Sequence, residues 1–355
     1  MKVGILGGGQ LARMLALSGY PLGLEFVVLC PSADACAAPV SEHLLADFDD
    51  ADALHKLADK ADVITYEFEN VPAESVEYLS KNNTVFPPPL ALATGRDRLK
   101  EKTLFNQLGI KTAPFANIDS LESLQSACSE IGLPAILKTR VEGYDGKGQF
   151  VIRSAEEADQ AWQGLNGVPA ILEGFVDFDR EVSIIAVRSA TGEMAFYPLS
   201  ENVHREGILR LSTSQANDTM QSKAERYAIQ LLQQLNYVGV LAIEFFQQGD
   251  ELLVNEYAPR VHNTGHWTIE GAHTSQFENH LRAILGLPLG STALNSNAAM
   301  INLIGDIPET ADVIKLPDVH LHLYGKSPRQ GRKVGHITLL ADDKTTLLDR
   351  IKKLG

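Results

Sequence analysis

The sequence predicts an α/β chain, α+β overall, with a parallel strand–helix domain first, a small glycine-loop unit next and a β-rich remainder. Three observations carry this reading. Over about the first hundred residues, short apolar runs alternate with helical patterns and stop at glycine or proline, as in a parallel α/β domain. A second, shorter set of strands and helices brackets the loop Gly143 to Gly148. From Glu181 onward strand-type runs dominate. The 355 residues leave room for two or three domains of roughly 150 residues each.

Val3 to Leu6 reads as a buried strand, followed by Gly7-Gly8-Gly9-Gln10-Leu11-Ala12 and a helix through Leu17. Glu25 to Cys30 is a second strand, stopped by Pro31, and Asp62 to Tyr66 a third. Pro72 opens a helix at its first turn, where a missing N–H costs nothing. Thr84 to Phe86 is a short strand ended by Pro87-Pro88-Pro89, and Leu90 to Leu108 is one charged helix closed by Gly109. The smaller unit contains the helix Leu121 to Ile131, the strands Pro134 to Thr139 and Gln149 to Arg153, the helix Glu156 to Leu165 and the strand Ala170 to Glu173. Then come strands at Val182 to Arg188, Met194 to Pro198, Val238 to Phe246 and Glu251 to Tyr257, with helices at Thr219 to Leu235 and Phe277 to Leu285. His320 to Tyr324 and Val334 to Leu340 are strands of a small C-terminal β-rich cap.

Lys plus Arg total 31 against 45 Asp plus Glu, a formal charge of −14. Such a surface repels polyanions, so neither nucleic acid nor an anionic membrane is an expected partner, although a local basic patch still suits a small phosphate. No apolar run reaches the roughly 18 residues of a membrane helix, and Gly7 to Gln10 with Arg13 interrupt any signal-peptide core. Cys30, Cys36 and Cys128 form neither a disulfide framework nor a C-x-x-C pair. A cytoplasmic enzyme is the expectation.

Four groups of residues bear on chemistry. The loop Gly7 to Ala12 fits the G-x-G-x-x-A dinucleotide pattern, but no acid ends the second strand, where Leu29-Cys30-Pro31-Ser32 stands instead. Its helix N-terminus suits an anion such as a sugar phosphate, and a turn needed only for packing remains open. Gly143-Tyr144-Asp145-Gly146-Lys147-Gly148-Gln149 lets backbone N–H groups approach a polyphosphate, yet no G-K-[ST] opens a helix after it. Lys138 sits on an apolar strand just before it, either meeting an anion or snorkelling to solvent. Glu244 and Glu256 are single acids on two apolar strands joined by a turn at Gln247 to Asp250, so Glu244 falls opposite Asn255 or Glu256. Buried carboxylates side by side repel, and oxygen ligands of this type suit Mg²⁺ bound with nucleotide phosphates; the alternative is an exposed face of two solvated acids. His262, His266, His273 and His280 match no zinc spacing. Arg260-Val261-His262-Asn263 and Arg332-Lys333 read as polar groups for an anionic ligand, the latter pair alternatively as a solvated turn.

Together these residues resemble the ATP-grasp superfamily, whose phosphate and magnesium apparatus is a strand lysine, a glycine-rich lid loop and an E…N-E hairpin. Within it the chain is similar to the N5-carboxyaminoimidazole ribonucleotide synthetase family of bacterial purine synthesis. The similarity is carried by Gly7 to Leu11, Tyr66-Glu67-Phe68-Glu69-Asn70, Gly143 to Gln149, the run from Asn255 to Thr268 and Gly331-Arg332-Lys333-Val334-Gly335-His336. Glu142 departs from the pattern, standing where members usually carry another glycine, and the stop at Gly355 implies shortened last elements. The resemblance implies an ATP-grasp fold: an N-terminal Rossmann-like parallel α/β domain over 1–97, an ATP-grasp domain over 98–289 with its lid at about 113–175, and a C-terminal β-rich cap over 290–355.

The resemblance further implies that ATP, bicarbonate and 5-aminoimidazole ribonucleotide give ADP, phosphate and the N5-carbamate through carboxyphosphate, in a cytoplasmic homodimer. Carried over residue by residue, Arg98 and Lys138 meet the ATP phosphates beneath Gly143, Tyr144, Asp145, Gly146, Lys147, Gly148 and Gln149. Glu173, Gly174, Phe175 and Val176 hold adenine through hinge-like backbone groups, Glu181 takes the ribose hydroxyls, and His204 helps place the nucleotide. Glu244 and Glu256 bind Mg²⁺, or Mn²⁺, with Asn255 beside them. Tyr144, Asp145, Lys147, Arg260, His262, Asn263, Arg332 and Lys333 form the ribonucleotide and carboxyphosphate end, faced by Gln10 and Glu67. The catalytic set is Lys138, Asp145, Lys147, Arg260, His262 and Asn263. Rival readings are another ATP-grasp ligase (a formate-using glycinamide ribonucleotide transformylase or a biotin carboxylase), an NAD-dependent oxidoreductase, and a nucleotide-binding regulatory module without turnover.

Overall fold

The computed structural model describes residues 1–141 and 148–354. Five expected loop residues, Gly143, Tyr144, Asp145, Gly146 and Lys147, therefore lie outside the described residues, as does Glu142. Among the described residues three sheets organise the chain. The first contains β1 (Lys2–Leu6), β2 (Glu25–Cys30), β3 (Glu42–Leu45) and β4 (Val63–Tyr66), all parallel, in the order β3-β2-β1-β4. Helices α1 (Gln10–Gly19), α2 (Ala51–Lys60) and α3 (Ala73–Ser80) belong to the same unit. β1, β2 and β4 are nearly all apolar because both faces of a parallel sheet are covered. β3, with the mixed sequence Glu-His-Leu-Leu at the sheet edge, has no such signature and escapes a search for apolar runs.

The expected helix Leu90 to Leu108 is two helices, α4 (Pro89–Gly95) and α5 (Arg98–Gln107). Asp97 breaks it: its carboxylate accepts from the N–H groups of Leu99 and Lys100, capping a new helix instead of continuing the old one. Pro72 caps α3 from outside rather than opening its first turn, and Thr84 to Phe86 provides only an isolated bridge between Ile64 and Val85.

The second sheet is small and antiparallel: β5 (Phe115–Ile118), β6 (Ala135–Thr139), β7 (Gln149–Ile152) and β8 (Ala170–Gly174), in the order β5-β8-β6-β7. Helices α6 (Leu121–Ile131) and α7 (Glu157–Gly164) cover one face through Leu124, Cys128, Ala158 and Ala161. The third and largest sheet takes β9 (Arg180–Arg188), β10 (Met194–Phe196), β11 (Ser200–Arg205), β12 (Ile208–Ser214), β13 (Gly239–Gln248), β14 (Glu251–Ala258), β15 (Asn297–Ile304), β16 (Val319–Leu323) and β17 (Lys333–Ala341). Its order is β14-β13-β9-β11-β12-β15-β17-β16, with β10 on β9. The C-terminal strands thus extend the central sheet through the β12–β15 pairing. Helices α8 (Gln221–Gln234), α9 (Thr268–Gly271), α10 (Gln276–Ile284), α11 (Thr310–Ile314) and α12 (Lys344–Leu354) complete the described α-helices. One core joins α1 and β1 to α10 and the central sheet around Trp267, and a second packs α5 and α8 on the other side of β13 and β14. No described helix is long and apolar enough to cross a membrane.

Candidate active site

The first glycine loop already holds an anion, supplied by the chain itself. Glu67, just after β4, accepts from the Gly9 N–H at 2.5 Å and the Ala12 N–H at 3.0 Å. Gly7 has φ of +120°, and a Cβ there would collide with the Glu67 side chain, so the turn requires glycine twice over. Burial raises the Glu67 carboxyl and the two N–H bonds pull it down; the net displacement is upward. These donors meet a carboxylate of the chain itself, which counts against the dinucleotide reading of the loop. Gln10 instead accepts from Lys326 at 2.6 Å, a contact between the first sheet's unit and the C-terminal segment.

The β13–β14 hairpin places Glu244 directly opposite Glu256, while Phe245 pairs with Val254. Asn255 is the extra residue of a β-bulge, which re-aims the side chains after it. In strict alternation Val254 and Glu256 would share a face. With the bulge, Val254 and Tyr257 enter the core beneath α5, and Glu256 faces outward. The expectation that both acids are buried is therefore corrected: Glu244 is partly buried and Glu256 exposed. Desolvation first, then the Glu256 charge, pushes the Glu244 carboxyl up to about 7. A cation between the two would relieve that repulsion, so the pair fits a divalent metal. Among the described residues no group of three or more His, Cys, Asp or Glu is arranged to hold one, so further ligands would have to come from the nucleotide phosphates. Glu181 and His204 flank the pair on β9 and β11, with His204 Nδ1 2.6 Å from Glu181 Oε2. Burial lowers the His204 imidazole, but Glu181 and Glu244 outweigh it and the net shift is upward.

A buried charge cluster lies where β6, β8, α5 and β14 meet. Glu173 Oε2 stands 3.2 Å from Lys138 Nζ and 3.1 Å from Lys102 Nζ. Lys102, 1 % exposed, also donates to the carbonyls of Val254 and Asn255. Burial alone would raise the Glu173 carboxyl; Lys138 and Lys102 hold it down at about 2. Burial in turn draws Lys138 below the usual lysine value against the pull of Glu173. Next to Lys102, Glu101 accepts from the Tyr257 N–H at 2.6 Å, and desolvation pushes it up to about 8. Arg98 opens α5 and donates to the Thr139 carbonyl at 2.9 Å, one residue beyond Lys138. Lys138 pairs across the sheet with Gln149, and the Thr139 N–H donates to the Gly148 carbonyl, so the described end of the glycine loop borders the cluster. Two expected hinge donors are already spent: Gly174 N–H on the Pro114 carbonyl and Phe175 N–H on that of Pro134. That leaves the hinge reading to Val176 and to carbonyl groups. Neither Lys102 nor Glu101 was singled out from the sequence, where both read as surface charges of a helix.

A further group of polar residues gathers around Arg260. Its guanidinium forks onto Glu69, with Nη2 2.7 Å from Oε1 and Nε on Oε2. His262 Nε2 lies 3.5 Å from Glu244 Oε1, and its Nδ1 is 3.0 Å from Thr264 Oγ1. Burial, then the Arg260 and Lys333 charges, hold His262 well below the usual imidazole value, so it is neutral at pH 7. Asn263 exchanges hydrogen bonds with Asn302 at 3.0 and 2.7 Å. Lys333 acts electrostatically on Glu69, Glu244 and His262, whereas Arg332 acts on Asp34 and Cys36. The four histidines do not converge: His280 Nε2 meets Thr65 Oγ1 at 2.9 Å and its Nδ1 accepts from Val240 N–H, as a core residue does.

Three domain families match the chain in order: a ribonucleotide synthetase pre-ATP-grasp domain at residues 1–95, an ATP-grasp domain at 103–277, and a phosphoribosylaminoimidazole carboxylase C-terminal domain at 298–350. N5-carboxyaminoimidazole ribonucleotide synthase of Pseudomonas aeruginosa is 53 % identical, over 100 % of this chain and 98 % of that protein. The crystal structure of the N5-carboxyaminoimidazole ribonucleotide synthetase of Thermus thermophilus superposes with a TM-score of 0.95 at 55 % identity, covering 99 % and 97 % of the two chains. That of the Aspergillus clavatus synthase, in complex with ADP and 5-aminoimidazole ribonucleotide, gives 0.91 at 29 % identity, again over 99 % and 97 %.

Proposed function

This chain belongs to the N5-carboxyaminoimidazole ribonucleotide synthase family, and on that premise we propose which of its residues perform the family's chemistry. The enzyme is an ATP-dependent ligase that carboxylates 5-aminoimidazole ribonucleotide in purine biosynthesis. We assign bicarbonate as the carboxyl source and carboxyphosphate as the intermediate. The observation that carries the assignment is the bulged hairpin: it pairs Glu244 with Glu256, and the chain leaving β14 runs straight on into Arg260, His262 and Asn263, so the phosphoryl and acceptor ends lie on one continuous stretch of chain.

Bicarbonate is a poor electrophile because its leaving group would be hydroxide. In the proposed sequence a bicarbonate oxygen forms a bond to the γ-phosphorus as the bond to ADP breaks, and the carboxyl carbon now carries phosphate as its leaving group. Arg98 and Lys138 bind the ATP phosphates, together with the loop from Gly143 to Gln149. Glu173 keeps Lys138 paired and in place. Glu173 to Val176 line the adenine, and Glu181 and His204 hold the nucleotide. Glu244 and Glu256 would hold Mg²⁺, or Mn²⁺, which when bound spreads the charge of the transferring phosphoryl group. Arg260, His262 and Asn263, with Tyr144, Asp145 and Lys147, orient the carboxyl group and the ribonucleotide amine. In the neutral His262, Nδ1 accepts from the Thr264 N–H, which leaves the ring proton on Nε2, the nitrogen facing Glu244. Gln10, Glu67, Arg332 and Lys333 close the ribonucleotide end. The free, buried cysteines suit a reducing compartment, and the reading includes a cytoplasmic homodimer, which sedimentation equilibrium tests.

Phosphate release from ATP is expected only when bicarbonate and 5-aminoimidazole ribonucleotide are both supplied. Equal release with glycinamide ribonucleotide and formate would favour the transformylase reading. Arg332→Ala with Lys333→Ala is expected to raise the KM for the ribonucleotide at least tenfold, because two charge-assisted contacts contribute about 1.5–3 kcal/mol each. The KM for ATP should hold, since binding an anion that takes no part in bond-making shows in KM. A rise in the ATP KM alone would move these residues to the nucleotide.

A further inference from the structure

The run Tyr66-Glu67-Phe68-Glu69-Asn70 contributes Glu67 to the glycine loop, but nothing so far gives Glu69 a role in the reaction. Glu69 and Arg260 are 191 residues apart and belong to different sheets' units, yet they form a two-point fork. A guanidinium carries five N–H bonds in one plane. Glu69 takes the side edge, through Nε and Nη2. The Nη1 group donates to the Val261 carbonyl at 3.1 Å; that carbonyl lies on the adjoining backbone, so it takes the Nη1 hydrogen turned back along the side chain. One hydrogen remains on each of Nη1 and Nη2, and these two lie parallel along the outer end of the group.

We propose that Glu69 is a positioning residue for the reaction: by holding the side edge of Arg260 it fixes the guanidinium plane so that the outer edge presents two parallel N–H donors to a planar oxyanion, the carboxyl group under transfer. This rests on the assignment of Arg260 to the carboxyl end of the site. Glu69 is suited to the task because it stays ionised: burial would raise its carboxyl, but Arg260 lies close enough to reverse the shift. It also belongs to the first unit, so the fork ties that unit to the chain that leaves β14.

Two effects compete when Glu69 is made neutral. Loss of a negative neighbour strengthens the attraction of Arg260 for an anion. Loss of the second fork contact frees the plane to rotate, and misplacement by about 1 Å is enough to cost on the order of a hundredfold in rate. Glu69→Gln retains shape and one acceptor, so it separates them. If positioning dominates, kcat/KM for bicarbonate falls by roughly tenfold to a hundredfold while the KM for ATP stays within about twofold. Glu69→Asp, which keeps the charge on a shorter stem, should recover part of the loss. A lower KM for bicarbonate in Glu69→Gln means that the residue only screens charge, and overturns the proposal; so does an equal loss for ATP and bicarbonate. Arg260→Ala is the control. If it leaves bicarbonate kinetics unchanged, the assignment of Arg260 fails, and the proposal fails with it for that reason rather than through Glu69. Should Glu69→Gln fold poorly, the Glu69→Asp kinetics alone decide: an unchanged bicarbonate kcat/KM rejects the role.

Discussion

Replacing Glu256 by glutamine is expected to reduce turnover by about two to four decades while leaving the fold intact. Glu256 is exposed and outside the cores, so its loss opens no cavity. Its partner Glu244 is displaced upward to about 7 by burial and by the Glu256 charge. Removing one of the two charges should return Glu244 toward an ordinary carboxylate, yet halve the charge available to a divalent cation. The two changes have opposite signs for binding, and the charge loss wins because a bound cation already cancels the repulsion between the acids. Phosphate release measured across a Mg²⁺ titration checks the turnover, and the paramagnetic signal of Mn²⁺ bound with ADP checks the metal without requiring turnover. Near-normal release at ordinary Mg²⁺, with unchanged Mn²⁺ binding, would remove Glu256 from the metal site.

How legible the site was depended on whether each residue's partner was local. The hairpin register could be read because two apolar runs each carried one acid and the turn between them was short; the pairing of Glu244 with Glu256 lies within that reading. The bulge at Asn255 could not, since nothing in Leu-Val-Asn-Glu-Tyr marks an unpaired residue, and so the exposure of Glu256 was missed. β11, Ser-Glu-Asn-Val-His-Arg, is hidden for a related reason: its polar residues line a working face, where Asn202 donates to Ser183 and His204 meets Glu181. The break at Asp97 turns on a side-chain cap competing with helix continuation, a balance of about 1 kcal/mol that charge patterning does not reveal. Lys102 and Glu69 are the extreme cases. Their partners lie 71 and 191 residues away, and each is an unremarkable charge in its own neighbourhood. The parallel strands were the easiest to see, because covering on both faces makes them uniformly apolar.

The other large effect should come from Glu173. In Glu173→Gln, Lys102 and Lys138 keep their positions in a buried site and lose their shared counter-ion, for which the expected destabilisation is about 3–5 kcal/mol. Lys102→Met alone should cost less, because Glu173 then retains Lys138, and the Val254 and Asn255 carbonyls lose a donor without a charge being stranded. Combining the two substitutions removes one of the stranded cations, so the double variant should be more stable than Glu173→Gln by itself. A double-mutant cycle from denaturant unfolding measures this, and simple additivity would mean that the three groups do not act as a unit. The pH dependence has a fixed sign. A carboxyl held at about 2 stabilises the fold fully above its unfolded value near 4.5, and that contribution is lost as pH falls between the two. Wild-type protein should therefore lose stability across that acid window, and Glu173→Gln should lose less. Function should follow stability only in part: without Glu173, desolvation draws the Lys138 ammonium lower still, so the KM for ATP should rise even at temperatures where the variant is fully folded. An unchanged KM for ATP in folded Glu173→Gln would separate the buried cluster from the phosphate site.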